Sequence, residues 1–181
     1  MIDKIDYLQF GSEIQINAYK AISKLGIMDN LSEYNPTLCG TYPLGINIVG
    51  SDLDIIMNVY DFPIYEKKVE ALYGQKEKFY LKRLTIREVP VVKVNLIFEG
   101  FEFELFAQSQ PTKEQYAYLH MIIEKSLLEQ YPYIRAEVTK LKKEGFKTEP
   151  AFCKVLGIEG EDPYVFCTTV DVWDLFNSFI S

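Results

Sequence analysis

Apolar residues recur at helical spacing near the start of the chain, at Ile14, Ala18, Ala21, Ile22 and Leu25, so the first thirty residues are expected to be helical, with Gly26 as the stop. Asn35-Pro36 marks a turn. Thr37-Leu38-Cys39 predicts a short strand that runs into a loop holding Gly40, Pro43, Gly45 and Gly50. A second strand is expected over residues 53–59 and a helix over about 64–72, ended by Gly74. From residue 79 the period shortens to two. FYLKRLTIREV alternates as a half-buried strand does and VVKVNLIF does so less cleanly, while Glu99-Gly100 divides VNLIF from FEFELF as a hairpin turn would.

The remainder reads as helix. In TKEQYAYLHMIIEKSLLEQY, positions 116, 119, 120, 123 and 127 form one stripe and 117, 121, 124 and 128 a second, a pattern that predicts burial on two sides. YIRAEVTKLKKEG is a shorter helix ending at a glycine, and Thr148-Glu149-Pro150 opens another, with proline in its first turn. The fold class is therefore α+β: a small mixed sheet with flanking helices and a helical C-terminal third. With no repeat and no Pro-, Gly- or Ser-rich linker, residues 1–181 are expected to form one domain, its sheet core over about 30–108 and its helical part over about 112–181.

Composition narrows the setting. Apolar residues make up 48% and charged residues 25%, which excludes intrinsic disorder. No apolar run approaches a membrane span, and MIDKIDYLQFGSE has neither the long apolar stretch nor the cleavage site of a signal peptide. Cys39, Cys153 and Cys167 are odd in number and widely spaced, which fits a reducing cytoplasm and neither a disulfide framework nor a zinc site. A net charge of −7 makes a long nucleic acid the less expected partner, because phosphate neutralisation supplies most of that affinity. Two basic stretches interrupt the acidity. Residues 76–93 carry six basic side chains against two acids, and residues 135–147 carry five against two. Each is read as a solvated surface at least as readily as an anion site.

The chemistry concentrates in CGTYPLGINIVGSDLDIIM, residues 39–57. Asp52 and Asp54 stand two apart at a strand start, so they project to one face while Leu53 turns to the core. Two adjacent carboxylates repel, and a hard divalent cation with oxygen preference relieves that repulsion. Gly40 allows backbone N–H groups to approach an anion closely. In FEFELF, Glu102 and Glu104 share one face and Phe101, Phe103 and Leu105 the other, so the hairpin offers a third acid. Three carboxylates suit a two-metal site for in-line phosphoryl displacement.

Gly40-Thr41, ten further residues, Asp52-Leu53-Asp54 and a later strand acid together resemble the signature of the polymerase-β-like nucleotidyltransferase superfamily. Within it the chain looks most like a small uncharacterised bacterial family, through GTYPLGI, SDLDI, FELFAQ, EQYAYLHMIIE, YIRAEV, KTEPAF and DPYVF. The resemblance implies that Asp52 and Asp54 are catalytic and ligate both metals, Mg²⁺ or Mn²⁺, that Glu104 rather than Glu102 is the third acid, and that Gly40-Thr41, with Ser51 near by, cradles a triphosphate. There are two departures: Thr41 in place of the commoner Ser, and Leu44 near where an Arg often stands, which bears on triphosphate affinity.

The expected activity is transfer of a nucleoside monophosphate from a nucleoside triphosphate to a hydroxyl, on a small-molecule or protein acceptor ahead of nucleic acid. The alternative is a binding or regulatory module of the same fold without turnover, antitoxin-like in role. Converging acids in an open cleft favour the enzyme, and Glu104 turned away favours the module. His120 is read first as a core histidine bonded to Glu124 or a backbone carbonyl, and second as a cleft residue. Lys147, just before a helix start, is a weaker candidate for phosphate contact. Tyr116, Tyr118, Tyr131 and Tyr133 are read as core or interface before base-stacking groups.

Overall fold

In a computed structural model, residues 5–158 and 163–166 are described. Cys167, the first residue of DPYVF and the end of the chain assigned above to the helical part lie outside the described residues.

The N-terminal periodicity forms α1, Glu13–Leu25. Gln15 reaches back to accept from the Ser12 N–H at 2.9 Å, so its side chain satisfies a helix-start donor. Gly26, in the left-handed region, ends the helix, and the short α2, Ile27–Asn30, follows. Strand β1, Thr37–Cys39, leads into Gly40 and one helical turn, α3, Thr41–Leu44, where a loop was expected. Strand β2, Leu53–Asn58, and helix α4, Phe62–Tyr73, come next. Asp61 caps α4, accepting from the Ile64 N–H at 3.0 Å, and Pro63 occupies its first turn.

Three long strands then run as a meander: β3, Glu77–Ile86, β4, Val89–Phe98, and β5, Phe101–Gln108. The sheet order is β1-β2-β5-β4-β3, with β2 and β5 parallel and the other neighbours antiparallel. The parallel pair lies at the centre and sets Asp54 opposite Glu104. Two details differ from the pattern read above. The strand from 79 stops at Ile86 because Arg87 and Glu88 both take positive φ, 50° and 65°, and close a two-residue hairpin without the usual Gly or Asn. Strand β3 is also an edge strand, exposed along much of its length instead of half-buried.

Alternation divides the sheet cleanly. Leu53, Ile55 and Met57, with Val94, Leu96, Phe103 and Leu105, pack one face against α1, α2 and α4. The opposite face carries Asp54, Glu104 and Lys93, and beyond them Ile56 and Phe106. That apolar end is covered by α5, Tyr116–Gln130, α6, Ile134–Lys143, and α7, Thr148–Val155, through Met121, Leu127, Leu128, Ile134, Val138 and Phe152. The short α8, Pro163–Phe166, packs beside α7. On α5 the buried residues His120, Met121, Glu124, Leu127 and Leu128 make a single broad face, so the two stripes seen in sequence merge on one side. The fold is thus α+β, a five-stranded mixed sheet with flanking helices. No helix among the described residues is long and apolar enough to cross a membrane.

Candidate active site

The acids of the sheet meet where β2 and β5 run side by side. Asp54 pairs in register with Glu104, and Asp52 lies two residues before Asp54. One carboxylate oxygen from each of Asp52, Asp54 and Glu104 comes within 4.8 Å of the others. All three are only partly buried, so an ion can reach them from solvent. Glu102 points the same way but is exposed at the strand's beginning. Burial, and the charges of Asp52 and Glu104, hold the Asp54 carboxyl well above the ordinary aspartate range. The arrangement therefore carries more negative charge than its own surroundings relieve. Hard oxygen donors in that state are the ligand set that Mg²⁺ and Mn²⁺ prefer.

Gly40 is fitted to this spot. Its φ of 73° and ψ of −147° belong to a region open essentially to glycine alone, and a Cβ there would lie 2.1 Å from Asp54 Oδ2. Thr41 begins α3 and is buried beside it. The α3 turn is held from two directions. Gln15 Nε2 donates to the Tyr42 carbonyl at 2.8 Å, and the Arg135 guanidinium, reaching over from α6, donates to the carbonyls of Leu44 and, at 3.3 Å, Gly45. An arginine thus stands next to Leu44 in space, although none stands there in sequence. Ser51 closes the loop ahead of β2: its Oγ accepts from the Ile48 N–H at 2.9 Å, and its carbonyl accepts from the Tyr42 hydroxyl at 3.4 Å. Lys147 is exposed at the residue before α7.

Two cations near the acids escaped the sequence reading. Lys93 on β4 pairs with Glu104 at 2.5 Å. Lys142, counted above within a solvated basic stretch, is only 6% exposed. It stands four residues after Val138 and eight after Ile134 on the buried stripe of α6, a spacing that places it inward. Burial pulls its ammonium below the ordinary lysine range, while the charges of Glu124, Asp54, Glu149 and Asp52 act in the other direction. The lysine thus feels the charge of the sheet acids and of the helix acids alike.

His120 is a buried residue with two partners, as the first of its two readings holds, but its acid is not Glu124. Nδ1 lies 3.0 Å from Glu149 Oε1 and Nε2 2.8 Å from the Tyr164 carbonyl, so the ring ties α5 to α7 and α8. Burial raises Glu149, yet the bond from His120, a backbone hydrogen bond and the charges of His120 and Lys142 together outweigh it, and the carboxyl stays below its usual range. Glu124 is 3% exposed, and one of its oxygens lacks a hydrogen-bond partner. Burial and the charge of Glu149 push its carboxyl well up. Tyr116 stays 47% exposed on α5, with the Arg87 guanidinium stacked 4.4 Å from its ring centre.

A family model described as a domain of unknown function (DUF4269) matches residues 20–169. No curated protein matches the chain. Among solved structures it is similar to the Cid1 poly(U) polymerase in its MgATP complex, with 15% identity and a TM-score of 0.55 over 77% of this chain and 47% of that one. It is also similar to the polymerase core of TRAMP, an RNA surveillance complex, with 13% identity and a TM-score of 0.57 over 97% of this chain and 59% of that one. A cytoplasmic RNA terminal U-transferase aligns at 15% identity and a TM-score of 0.51, over 80% and 46% of the two chains. The chain spans about half the length of these proteins. At such identities the likeness is one of fold, and the shared fold is that of nucleotidyltransferase polymerase cores.

Proposed function

The chain belongs to the DUF4269 family, and we propose that it is a divalent-metal-dependent nucleotidyltransferase that moves a nucleoside monophosphate from a nucleoside triphosphate to a hydroxyl. The observation that carries this is the meeting of Asp52, Asp54 and Glu104 within 4.8 Å on a face open to solvent, beside a glycine that fits only because it has no side chain. Convergence of the third acid favours turnover over a binding module, for which Glu104 would be free to face elsewhere.

Asp52, Asp54 and Glu104 would hold Mg²⁺ or Mn²⁺, which when bound neutralises the triphosphate and lowers the pKa of an attacking hydroxyl. The chain's own groups do the rest. Gly40-Thr41 and the start of α3 offer backbone N–H groups on one side of β2, where the triphosphate lies. Lys142, held inward on α6, adds a positive charge beside the same acids. Glu104, two strands from Gly40 across the sheet, accepts the proton of the acceptor hydroxyl as that oxygen bonds to the α-phosphorus and pyrophosphate departs. Lys93 holds Glu104 in place at 2.5 Å.

The experiment is a screen of the four nucleoside triphosphates with Mg²⁺ or Mn²⁺ against oligonucleotides, proteins and small hydroxyl compounds, read as pyrophosphate formed. Pyrophosphate that depends on metal and on Asp54 supports the enzyme. Nucleotide binding without pyrophosphate in any combination contradicts it and leaves the binding module.

A further inference from the structure

The basic stretch at 76–93 divides by face once β3 and β4 pair. Arg83 turns to α4, where its guanidinium donates to both Glu66 carboxylate oxygens, at 2.6 and 2.8 Å. Lys82 and Lys93 stand directly opposite each other across β3 and β4 and fall on the other face, with the acids. Asn95 and Tyr80 are the neighbouring pair on that face. One row therefore crosses the whole sheet in register: Cys39, Asp54, Glu104, Asn95 and Tyr80. Gly40 follows Cys39 at one end of the row. Tyr80 stands at the other end, two strands beyond Glu104 and about 10 Å from it at the usual strand spacing.

These four side chains leave a charge unanswered. Like charges set directly opposite across two strands destabilise the pair. Glu104 relieves Lys93, at 2.5 Å, but Lys82 pairs with no acid among the described residues. Its ammonium lies 5.8 Å from the centre of the Tyr80 ring, and that ring is 58% exposed. Lys93 and Asn95 are also partly open to solvent. Two ammonium groups, an amide and an exposed ring side by side suit a phosphate and a planar base. The patch is also small. Leu84 and the buried Val91 close it at one end, the acids Glu77 and Glu102 flank Ile97 in register at the other, and the sheet edge lies beyond Tyr80. A longer phosphate chain running along the strands would meet apolar surface one way and negative charge the other.

The row also orders the reaction. In an in-line displacement the attacking and leaving oxygens stand on opposite sides of the phosphorus. With the triphosphate at the Gly40 end, the attacking hydroxyl comes from the Tyr80 end, past Glu104. Resting on the nucleotidyl-transfer reading above, we propose that Tyr80, Lys82, Lys93 and Asn95 form the acceptor subsite and that the acceptor is a single nucleoside monophosphate. Its base lies against Tyr80, its phosphate against the two lysines, and a sugar hydroxyl faces Glu104. That hydroxyl oxygen bonds to the α-phosphorus, the bond from that phosphorus to the bridging oxygen breaks, and pyrophosphate leaves with the electron pair. The hydroxyl proton passes to Glu104 and then to solvent, and the two nucleotides end joined by a phosphodiester.

Calorimetry on the full chain tests this, with Mg²⁺ and saturating α,β-methylene ATP, whose α–β bridge does not break, holding the triphosphate site. The probes are the four nucleoside 5′-monophosphates, the matching nucleosides and a fifteen-nucleotide oligoadenylate. The variants are Tyr80→Ala and Lys82→Gln, both on the edge strand, and Arg83→Gln, which removes the same charge one residue along on the other face. The expected result is saturable binding of at least one monophosphate, about tenfold weaker for its nucleoside and about tenfold weaker in Tyr80→Ala and in Lys82→Gln. Arg83→Gln should bind it as wild type does. Binding of none of the four, unchanged binding in Tyr80→Ala and Lys82→Gln, or an equal loss in Arg83→Gln would overturn the proposal. Tighter binding of the oligonucleotide than of any monophosphate would overturn it too, since the occupant would then be a strand. Failure of the underlying reading looks different: the ATP analogue itself does not bind with Mg²⁺ while a monophosphate still does, and the patch then loses its role as acceptor subsite.

Discussion

Gly40 and Asp54 stand so close that a single added carbon at position 40 would overlap Asp54 Oδ2 at 2.1 Å. They meet because β1 and β2 run antiparallel with Cys39 opposite Asp54, so the turn after β1 passes directly over the carboxylate. The backbone proposed to receive phosphate and the acid proposed to receive metal are thus one packed unit.

Replacing Gly40 by Ala breaks that unit in two ways. The backbone conformation becomes strained, at a cost of about 1–3 kcal/mol, and Asp54 must turn aside. Urea denaturation should show a loss of that size, and Mn²⁺ titration should show weaker metal binding than in wild type. Retention of both stability and metal affinity would mean that the turn is not fitted to Asp54.

The raised Asp54 carboxyl makes stability depend on pH with a definite sign. Below the ordinary aspartate range both folded and unfolded chains hold this proton, and Asp54 contributes no pH dependence. Above it the unfolded chain releases the proton while the folded chain keeps it, so stability contributed by this group falls as pH rises until the folded carboxyl ionises. Glu124 acts in the same direction. Divalent metal binds the ionised acids and reverses the loss, by about 2.7 kcal/mol at a hundred times the dissociation constant. Thermal melts between pH 4 and 8, with and without Mg²⁺, should separate most at the alkaline end.

Much of this was legible in the sequence, and the reason is periodicity. Asp52-Leu53-Asp54 and Glu102-Phe103-Glu104 alternate acid and apolar residues, and alternation alone puts the acids on one face of a strand whose other face is core. That β2 and β5 are neighbours, which brings Asp54 to Glu104, is a long-range pairing that local pattern does not contain. The same limit hid the Lys93–Glu104 pair and the choice of Glu149 over Glu124 as the partner of His120. Lys142 is another matter. Its spacing from Ile134 and Val138 marked the buried face of α6, but three lysines close together read as a solvated surface, and charge outweighed period. The Arg87-Glu88 turn left no signal, because neither residue favours the left-handed conformation that both adopt.

Lys142→Met keeps the length and bulk of the side chain and removes its charge from beside the sheet acids. Calorimetry should show MgATP binding about tenfold weaker, roughly 1.4 kcal/mol, with circular dichroism unchanged. Equal affinity would confine Lys142 to balancing Glu124 and Glu149 within the helical layer.

The central claim is that Asp52, Asp54 and Glu104 gather divalent ions for a nucleotide, and calorimetry of ATP binding with and without Mg²⁺ tests it most directly. Wild type should bind ATP in a Mg²⁺-dependent manner, and the doubly substituted Asp52→Asn, Asp54→Asn protein, nearly equal in shape and lacking both charges, should lose that dependence. Unchanged Mg²⁺-dependent binding in the double variant would contradict the account.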